Sequence, residues 1–266
     1  MEVNVKSYVE GIMQNAPPEM AEFEKLPKEE KIKIICEEEN ALVNEEENAR
    51  IPCDKCHGKG YYYIPDTDWW KRVECGCMKA RRALRYVEGL GLLKDVQRCN
   101  FDTYVPYDEP TTKMKEAAQN FREGWLYLGG QSGSGKTHLA YSIFGKMVKK
   151  QKAPQWMQWI QESQELKMMI GEDEDGYNKE VSRLMNAEIL FIDDFFNIEP
   201  TQADIRLART IIDNRYSNDL MTIITSELTL AELNDYDDAI AGRIAEKATV
   251  FQISGNNHNY RMRNYL

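Results

Sequence analysis

The stretch GGQSGSGKT, residues 129–137, constrains the fold of this chain more than any other part of its sequence. The apolar run WLYLGG leads into it, and apolar residues at helical spacing follow it in THLAYSIFGKMVKK. A glycine-rich loop between a buried strand and the start of a helix is the setting in which backbone N–H groups bind phosphate. The sequence therefore predicts an α/β fold with a phosphate-binding loop.

Each position of this loop has an expected role in holding a nucleotide. The backbone N–H groups of residues 133–136 are expected to surround the phosphates. The Lys136 ammonium is expected to contact the β and γ oxygens, and the Thr137 hydroxyl to hold Mg²⁺. The predicted nucleotide-binding residues of the loop are Gly130, Gln131, Ser132, Gly133, Ser134, Gly135, Lys136 and Thr137.

Two later apolar runs end in polar side chains. AEILFIDDFF, residues 187–196, carries two carboxylates, and LMTIITSE, residues 220–227, reaches a hydroxyl at Ser226. Such continuous runs are typical of strands buried on both faces of a parallel sheet, where strand ends meet at one edge. We expect Asp193 to bind Mg²⁺ through water, Asp194 to orient the attacking water, and Ser226 to contact the γ-phosphate.

Four cysteines in the first third of the chain have the spacing of metal ligands. Cys53 and Cys56 form a CxxC motif, and Cys75 and Cys77 form a CxC motif. Four thiolates suit the tetrahedral coordination that zinc takes in structural sites, so the sequence predicts a zinc module. Two alternatives stay open: His57 replaces one cysteine ligand, or the thiols hold no metal.

The residues between the two cysteine motifs predict a small hairpin. YYYIP and WWKRVE are typical of two short strands, with a turn at residues 65–68. A module of this size buries little core, so zinc would supply most of its folding free energy. Cys36 and Cys99 lack a partner at ligand spacing and are predicted to be core residues or incidental.

Charge is distributed unevenly along the chain. The net charge of −10 excludes a protein that coats nucleic acid by bulk electrostatics. Residues 1–50 hold 13 acidic and 6 basic side chains, whereas residues 51–100 hold 6 and 10. The first segment predicts an acidic helical arm, broken at Pro17 and Pro18, that is either a solvated helix or a docking surface.

Two further features of composition bear on the surroundings of the protein. The helix predicted in MKARRALRYVEGLG is basic, either to contact phosphates or for solubility alone. The chain has no apolar run long enough for a membrane span, and its first residues lack the order of a secretory signal. We expect a cytoplasmic protein that makes no membrane contact.

The order of the motifs resembles the DnaC/DnaI-type replicative helicase loaders, especially their phage versions. The matching segments are CxxC…CxC, NFDTY, GGQSGSGKTHLA, ILFIDDFF, TIITSELTLAEL and AIAGRIAEKA…NYRMR. The resemblance implies an AAA+ ATPase domain at residues 99–266 that lacks a C-terminal lid. It also implies an N-terminal domain at residues 1–98 that grips the helicase and contains the zinc module at about residues 51–80.

The resemblance also implies roles for residues outside the loop. Phe101 to Tyr104 would border the adenine. Arg243 would be an arginine finger for ATP in a neighbouring subunit, with Arg215 as the other candidate. Lys167, Lys179 and Arg183 would line a path for single-stranded DNA, or form ordinary helix surface. Asp194 stands where many AAA+ proteins have Glu, so we expect slow turnover.

The function implied is that of an ATP-dependent loader of a DnaB-type hexameric helicase onto single-stranded DNA. ATP binding would join subunits into an oligomer, and hydrolysis would release the helicase. A transposition helper with a similar ATPase core is an alternative. A phosphotransferase acting on a small substrate is a further one.

Overall fold

The computed structural model describes Phe23, residues 25–67, residues 69–253 and Tyr260. The predicted break at Pro17 and Pro18, and the NYRMR motif apart from Tyr260, lie outside these residues. The chain divides into two compact units, one ending at Met78 and the other beginning at Lys79. The sequence interpretation placed this boundary at residue 98. The following helices belong to the second unit, where the Tyr86 hydroxyl donates to the Trp156 carbonyl at 3.2 Å.

The first unit contains a hairpin beside two helices. Its elements are α1 (Lys28–Ala41), α2 (Glu45–Arg50), β1 (Tyr61–Pro65) and β2 (Trp70–Glu74). The strands are antiparallel, as predicted, with Tyr61 opposite Glu74. The Asn40 amide donates to the Tyr63 carbonyl at 2.8 Å and accepts from its N–H at 2.7 Å. The side chain of α1 therefore satisfies the edge of β1.

The second unit is a parallel sheet covered by helices. Its strands are β3 (Trp125–Gly130), β4 (Pro154–Gln158), β5 (Ile189–Asp193), β6 (Met221–Thr225) and β7 (Ala248–Ile253). The order across the sheet is β4-β5-β6-β3-β7, and all four pairings are parallel. The strands β3 and β5 are buried along their whole length, which explains their continuous apolar sequences.

Helices connect these strands and cover the sheet. Helix α3 (Met78–Gly89) begins at the junction of the units, and the remaining described helices are α4 (Leu93–Arg98), α5 (Glu109–Asn120), α6 (Lys136–Lys149), α7 (Trp159–Met169), α8 (Glu174–Asn186), α9 (Gln202–Ser217), α10 (Leu230–Tyr236) and α11 (Asp238–Lys247). Within the described residues, no helix combines the length and apolar character needed to cross a bilayer.

A buried arginine ties the sheet to the helices. Arg215 is 0% exposed. Its guanidinium donates to the carbonyls of Leu184, Ala187 and Met221 at 3.0, 2.9 and 2.5 Å, and to the Thr222 hydroxyl at 2.9 Å. Because these bonds replace water around the charge, the guanidinium can lie in the core. It links the end of α8, the start of β5 and the start of β6.

Candidate nucleotide site and cysteine cluster

A cavity of about 780 Å³ lies along the loop between β3 and α6. It is surrounded by residues of the loop, of the ends of β5 and β6, and of the segment after α4. The lining residues used below are Thr103, Tyr104, Val105, Ser132, Gly133, Ser134, Gly135, Lys136, Thr137, Asp193, Asp194, Asn197 and Glu227. Gly130 and Gln131 belong to the loop but do not line the cavity.

Two glycines of the loop occupy positions that a side chain could not. Gly130 has φ +95°, and a Cβ there would lie 2.1 Å from the Ile253 carbonyl oxygen. Gly135 has φ +89°, and a Cβ there would lie 2.4 Å from the Tyr104 ring. The left-handed φ and the close neighbours both require glycine. Tyr104 further supports the loop, since its hydroxyl donates to the Ser134 carbonyl at 3.0 Å.

Lys136 lies inside the phosphate-binding loop, where its ammonium is expected to contact phosphate oxygens. It is 6% exposed, and its Nζ donates to the carbonyls of Gly130 and Gln131 at 2.8 and 2.9 Å. The lysine begins α6, so its backbone N–H is among those that have no partner within the helix. The ammonium and the N–H groups of this turn are placed to hold phosphate oxygens.

Asp193 and Thr137 form the part of the cavity that fits Mg²⁺. The Thr137 hydroxyl donates to Asp193 Oδ1 at 3.0 Å, and the Thr225 hydroxyl donates to the same oxygen at 2.5 Å. Burial raises the pKa of the Asp193 carboxyl to about 6, although both hydroxyls oppose this. Carboxylate and hydroxyl oxygens beside a phosphate loop are the ligands that Mg²⁺ prefers, so these residues fit the metal.

Asp194 begins a tight turn after β5. Its φ is 57°, and its N–H donates to the Thr225 hydroxyl at 3.0 Å. Asn197 Nδ2 donates to Asp194 Oδ1 at 2.8 Å, and Asn197 Oδ1 accepts the Glu227 N–H at 2.8 Å. The predicted pair of carboxylates thus reaches the cavity together, Asp193 deep in the wall and Asp194 nearer the opening.

With this geometry in place, the comparisons assign the second unit to a known family. The profile of the family described as IstB-like ATP binding protein matches residues 101–266, more than half of the chain. The chain belongs to this family. The parallel sheet and its loop have the fold of AAA+ ATP-binding domains, which confirms both the predicted fold class and the resemblance to DnaC/DnaI-type proteins.

Two proteins of Bacillus subtilis strain 168 are similar to this IstB-like chain. YqaM is 26% identical over 196 residues, which cover 66% of this chain and 61% of YqaM. The phage-like element PBSX protein XkdC is 24% identical over 224 residues, covering 77% and 82%. The chain thus spans less than two thirds of the length of YqaM.

A solved structure of similar fold is the crystal structure of the DnaC helicase loader. Its TM-score to this IstB-like chain is 0.50 at 24% identity, and the match covers 59% of this chain and 98% of that one. The likeness concerns the fold of the second unit alone.

Ser226 of the IstB-like domain does not have the position expected of a γ-phosphate contact. It is 0% exposed and is not part of the cavity lining. Its hydroxyl donates to the Phe195 carbonyl at 2.6 Å and accepts the Leu228 N–H at 3.0 Å. The loop after β6 turns back onto the β5 turn, so Glu227 reaches the cavity instead.

Phe101 also lies elsewhere than predicted. It does not line the cavity, and the Lys146 ammonium lies 6.0 Å from its ring centroid. Thr103, Tyr104 and Val105 line the cavity in its place. The turn at residues 100–103 directs Phe101 away from the cavity, and contact of Thr103 and Tyr104 with the adenine stays a prediction.

The two candidate arginine fingers differ completely in exposure. Arg215 is enclosed by the carbonyls described above, so the expectation that it reaches a neighbouring subunit is wrong. The Arg243 side chain is 32% exposed, pairs with Asp213 at 2.9 Å, and does not line the cavity of its own chain. The nearby Asp237 pairs with Arg209 at 2.7 Å and not with Arg243.

Two of the three residues expected to contact DNA are already paired within the unit. Lys167 lies 2.6 Å from Asp204, and Arg183 lies 2.9 Å from Glu162 and 2.7 Å from Glu180. The carboxylates in these pairs neutralise the positive charges that were predicted to contact DNA phosphates. This favours the alternative that these residues form ordinary helix surface. Lys179 is exposed on α8.

The four predicted metal ligands come together in the first unit. The Sγ atoms of Cys53, Cys56, Cys75 and Cys77 all lie within 4.8 Å of one another, and all four residues are buried. Sγ atoms of opposite motifs lie 3.6 and 3.4 Å apart, close to the ~3.8 Å edge of a tetrahedral zinc–thiolate site. The Gly60 N–H donates to Cys56 Sγ at 3.4 Å. The cluster fits zinc.

The structure also shows where His57, Cys36 and Cys99 lie relative to the cysteine cluster. His57 is not part of the cluster; its φ is 46°, and its N–H donates to the Cys53 carbonyl at 2.8 Å. Its role is to close the turn between the first two cysteines. Cys36 and Cys99 are buried free thiols, as predicted.

Sequence reasoning missed Asn197 and the support that Tyr104 gives to the loop. Tyr104 lies in a segment that was singled out, but the contact with Gly135 depends on a fold between distant residues. Glu227 was noted from the sequence only as a carboxylate that would repel the γ-phosphate beside Ser226. Asn197 had no signal, because its partners come from two different strand ends.

Proposed function

We propose that this chain is an ATP-dependent loader that places a DnaB-type hexameric helicase on single-stranded DNA. The observation that carries the proposal is the presence, on one chain, of an IstB-like nucleotide cavity and a buried four-cysteine cluster. The first unit, with its acidic helix and cysteine hairpin, would bind the helicase. The second unit would bind ATP, and the state of the nucleotide would decide between assembly and release.

The cavity residues divide the work of hydrolysis between them. Lys136 and the loop N–H groups bind the phosphates, and Asp194 accepts a proton from water as the water oxygen bonds to the γ-phosphorus. The bond to the β,γ-bridging oxygen breaks, which releases ADP and phosphate. Mg²⁺, held by Thr137 and Asp193, would neutralise charge on the phosphate oxygens. Arg243 would act on the ATP of a neighbouring chain.

Zinc is the metal we propose for the cysteine cluster. Four buried thiolates at tetrahedral spacing, with an N–H bond to sulfur, are the arrangement of a structural site. Its role would be to fold the hairpin and so to shape the surface that meets the helicase.

A second candidate function is that of a transposition helper. The family description favours it, since the match to IstB-like proteins covers residues 101–266 of the second unit. The two functions share ATP binding and oligomer formation, and differ in the protein partner. The partner therefore decides between them.

A capture experiment with both partners tests the proposal. The chain, with ATP and single-stranded DNA, is expected to retain a DnaB-type helicase and not a transposase. Cys53→Ser combined with Cys56→Ser should abolish capture, whereas Cys36→Ser, a buried thiol of the same unit outside the cluster, should preserve it. Capture of the transposase alone would favour the helper function. Capture of neither, by a chain that hydrolyses ATP, would favour phosphate transfer to a small substrate.

A further inference from the structure

The turn that follows β5 is held in an unusual conformation. Asp194 and Phe196 have φ values of 57° and 54°, which non-glycine residues rarely adopt. The buried rings of Phe195 and Phe196 stack with centroids 4.2 Å apart, and both contact the Trp159 ring edge to face. Packing of this kind can sustain local strain, which is concentrated at functional sites. The turn is therefore rigid.

Asn197 closes this turn with bonds on both sides of its amide. It donates from Nδ2 to Asp194 Oδ1 and accepts at Oδ1 from the Glu227 N–H, each at 2.8 Å. A backbone N–H only donates and an ionised carboxylate only accepts, so the two partners fix which way the amide faces. Asn197 lines the nucleotide cavity between these partners.

The second partner of Asn197 is itself fixed in space. The Phe195 N–H donates to the Thr225 carbonyl at 2.8 Å, and the Ser226 hydroxyl donates back to the Phe195 carbonyl at 2.6 Å. These bonds join the loop after β6 to the turn after β5. The Glu227 N–H is thus a stable anchor for the Asn197 amide.

We propose that Asn197 is a positioning residue that aims the Asp194 carboxylate at the attacking water. Aspartate is one methylene shorter than glutamate, so its carboxylate reaches less far and tolerates less error in angle. A donor at one carboxylate oxygen fixes the rotation of the group. The inference rests on the hydrolytic part of the proposed function and not on the identity of the partner.

Two substitutions distinguish the hydrogen bond of the Asn197 amide to Asp194 from its bond to Glu227. Asn197→Asp has nearly the same shape and keeps an oxygen to accept the Glu227 N–H, but it replaces the donor to Asp194 with a repelling oxygen. Asn197→Ala removes both bonds. We expect Asn197→Asp to lower kcat by up to about 100-fold, while the Kd for a non-hydrolysable ATP analogue changes by less than about threefold. Asn218→Ala, which removes an exposed amide bond at the end of α9, should leave kcat unchanged.

The double variant tests whether the effect passes through Asp194. In the Asp194→Ala background, Asn197→Asp should lower kcat further by less than about twofold, because the group that it orients is gone. If Asn197→Asp had a normal kcat and only Asn197→Ala lowered it, Asn197 would act solely through its bond to the Glu227 N–H. That result would overturn the inference. Equal losses with and without Asp194 would overturn it as well. Failure of the wild-type chain to hydrolyse ATP would remove both the hydrolytic function and this role, whereas failed helicase capture would affect neither.

Discussion

At the scale of single residues, the nucleotide cavity contains a carboxyl whose burial lowers the stability of the protein when no cation is bound. Asp193 is 6% exposed, and burial raises the pKa of its carboxyl to about 6. Two hydroxyls bond to one of its oxygens, but they do not replace the water that an ionised carboxylate loses. The residue proposed to hold Mg²⁺ therefore lowers the stability of the domain when no cation is near.

We predict that Asp193→Asn stabilises the Mg²⁺-free protein in a pH-dependent way. The pKa of Asp193 is higher in the folded than in the unfolded protein, so its protonation favours the folded state below pH 4. This contribution to the free energy of unfolding is lost as the pH rises through 6. A change in pKa from 3.8 to about 6 corresponds to roughly 3 kcal/mol. Urea unfolding with EDTA should show the advantage of the variant growing between pH 4 and pH 7, and a constant advantage would contradict this cause. The same variant should lose Mg²⁺-dependent ATP hydrolysis.

At the scale of elements, the four clustered cysteines lie at one end of the hairpin. The strands β1 and β2 contain five residues each, too few to form an independent core. Cys53 and Cys56 precede β1, and Cys75 and Cys77 follow β2, so a metal between them would close the hairpin at its open end. The aromatic residues of the strands would then be held in one arrangement.

We predict about one zinc per chain in freshly purified protein, with zinc–sulfur distances near 2.3 Å. Removal of the metal by a chelator should weaken the near-ultraviolet circular dichroism of Trp69 and Trp70, because the hairpin that orders them unfolds. Cys53→Ser with Cys56→Ser should show the weakened signal without a chelator, and Cys36→Ser should not. A zinc content near zero in the unmodified protein would refute the assignment.

Elements were easier to predict from the sequence than contacts between them. The hairpin, the strand before the phosphate loop and the acidic strand β5 follow from local patterns, and the structure confirms them. Phe101 was assigned from motif order and Ser226 from its place at a strand end, but their side-chain directions depend on how a turn meets another strand end. Arg215 looked like any surface arginine in NRYSN, since burial of a charge leaves no periodic signal.

At the scale of the whole molecule, the position of Arg243 bears on assembly. The guanidinium pairs with Asp213 and does not line the cavity of its own chain. The two side chains are 32% and 44% exposed, so water partly screens the pair, and Arg243 can exchange Asp213 for a phosphate of a neighbouring chain at modest cost. A site completed by a second molecule would make hydrolysis depend on protein concentration.

We predict that binding and turnover separate in Arg243→Ala. The variant should bind ATP normally, because its own loop is intact, and should hydrolyse it at least 10-fold more slowly. Mixing it with Lys136→Ala should partly restore activity, since one interface then pairs an intact loop with an intact arginine. Lys149→Ala, at the exposed end of α6, should hydrolyse ATP at the normal rate on its own and serves as the control for a surface substitution. Turnover that is independent of concentration and unchanged on mixing would show that each site is self-contained.

The order of strands in the sheet has a consequence for the synthesis of the protein. The phosphate loop extends from β3, yet β3 pairs with β6 and β7, which follow it by about 100 residues or more. The loop itself is anchored late, since the Gln131 N–H donates to the Ile253 carbonyl. A ribosome must therefore translate nearly the whole second unit before this loop has its neighbours, whereas the cysteine cluster is complete at residue 77. A nascent chain would complete its cysteine cluster well before it completes the cavity at the phosphate loop.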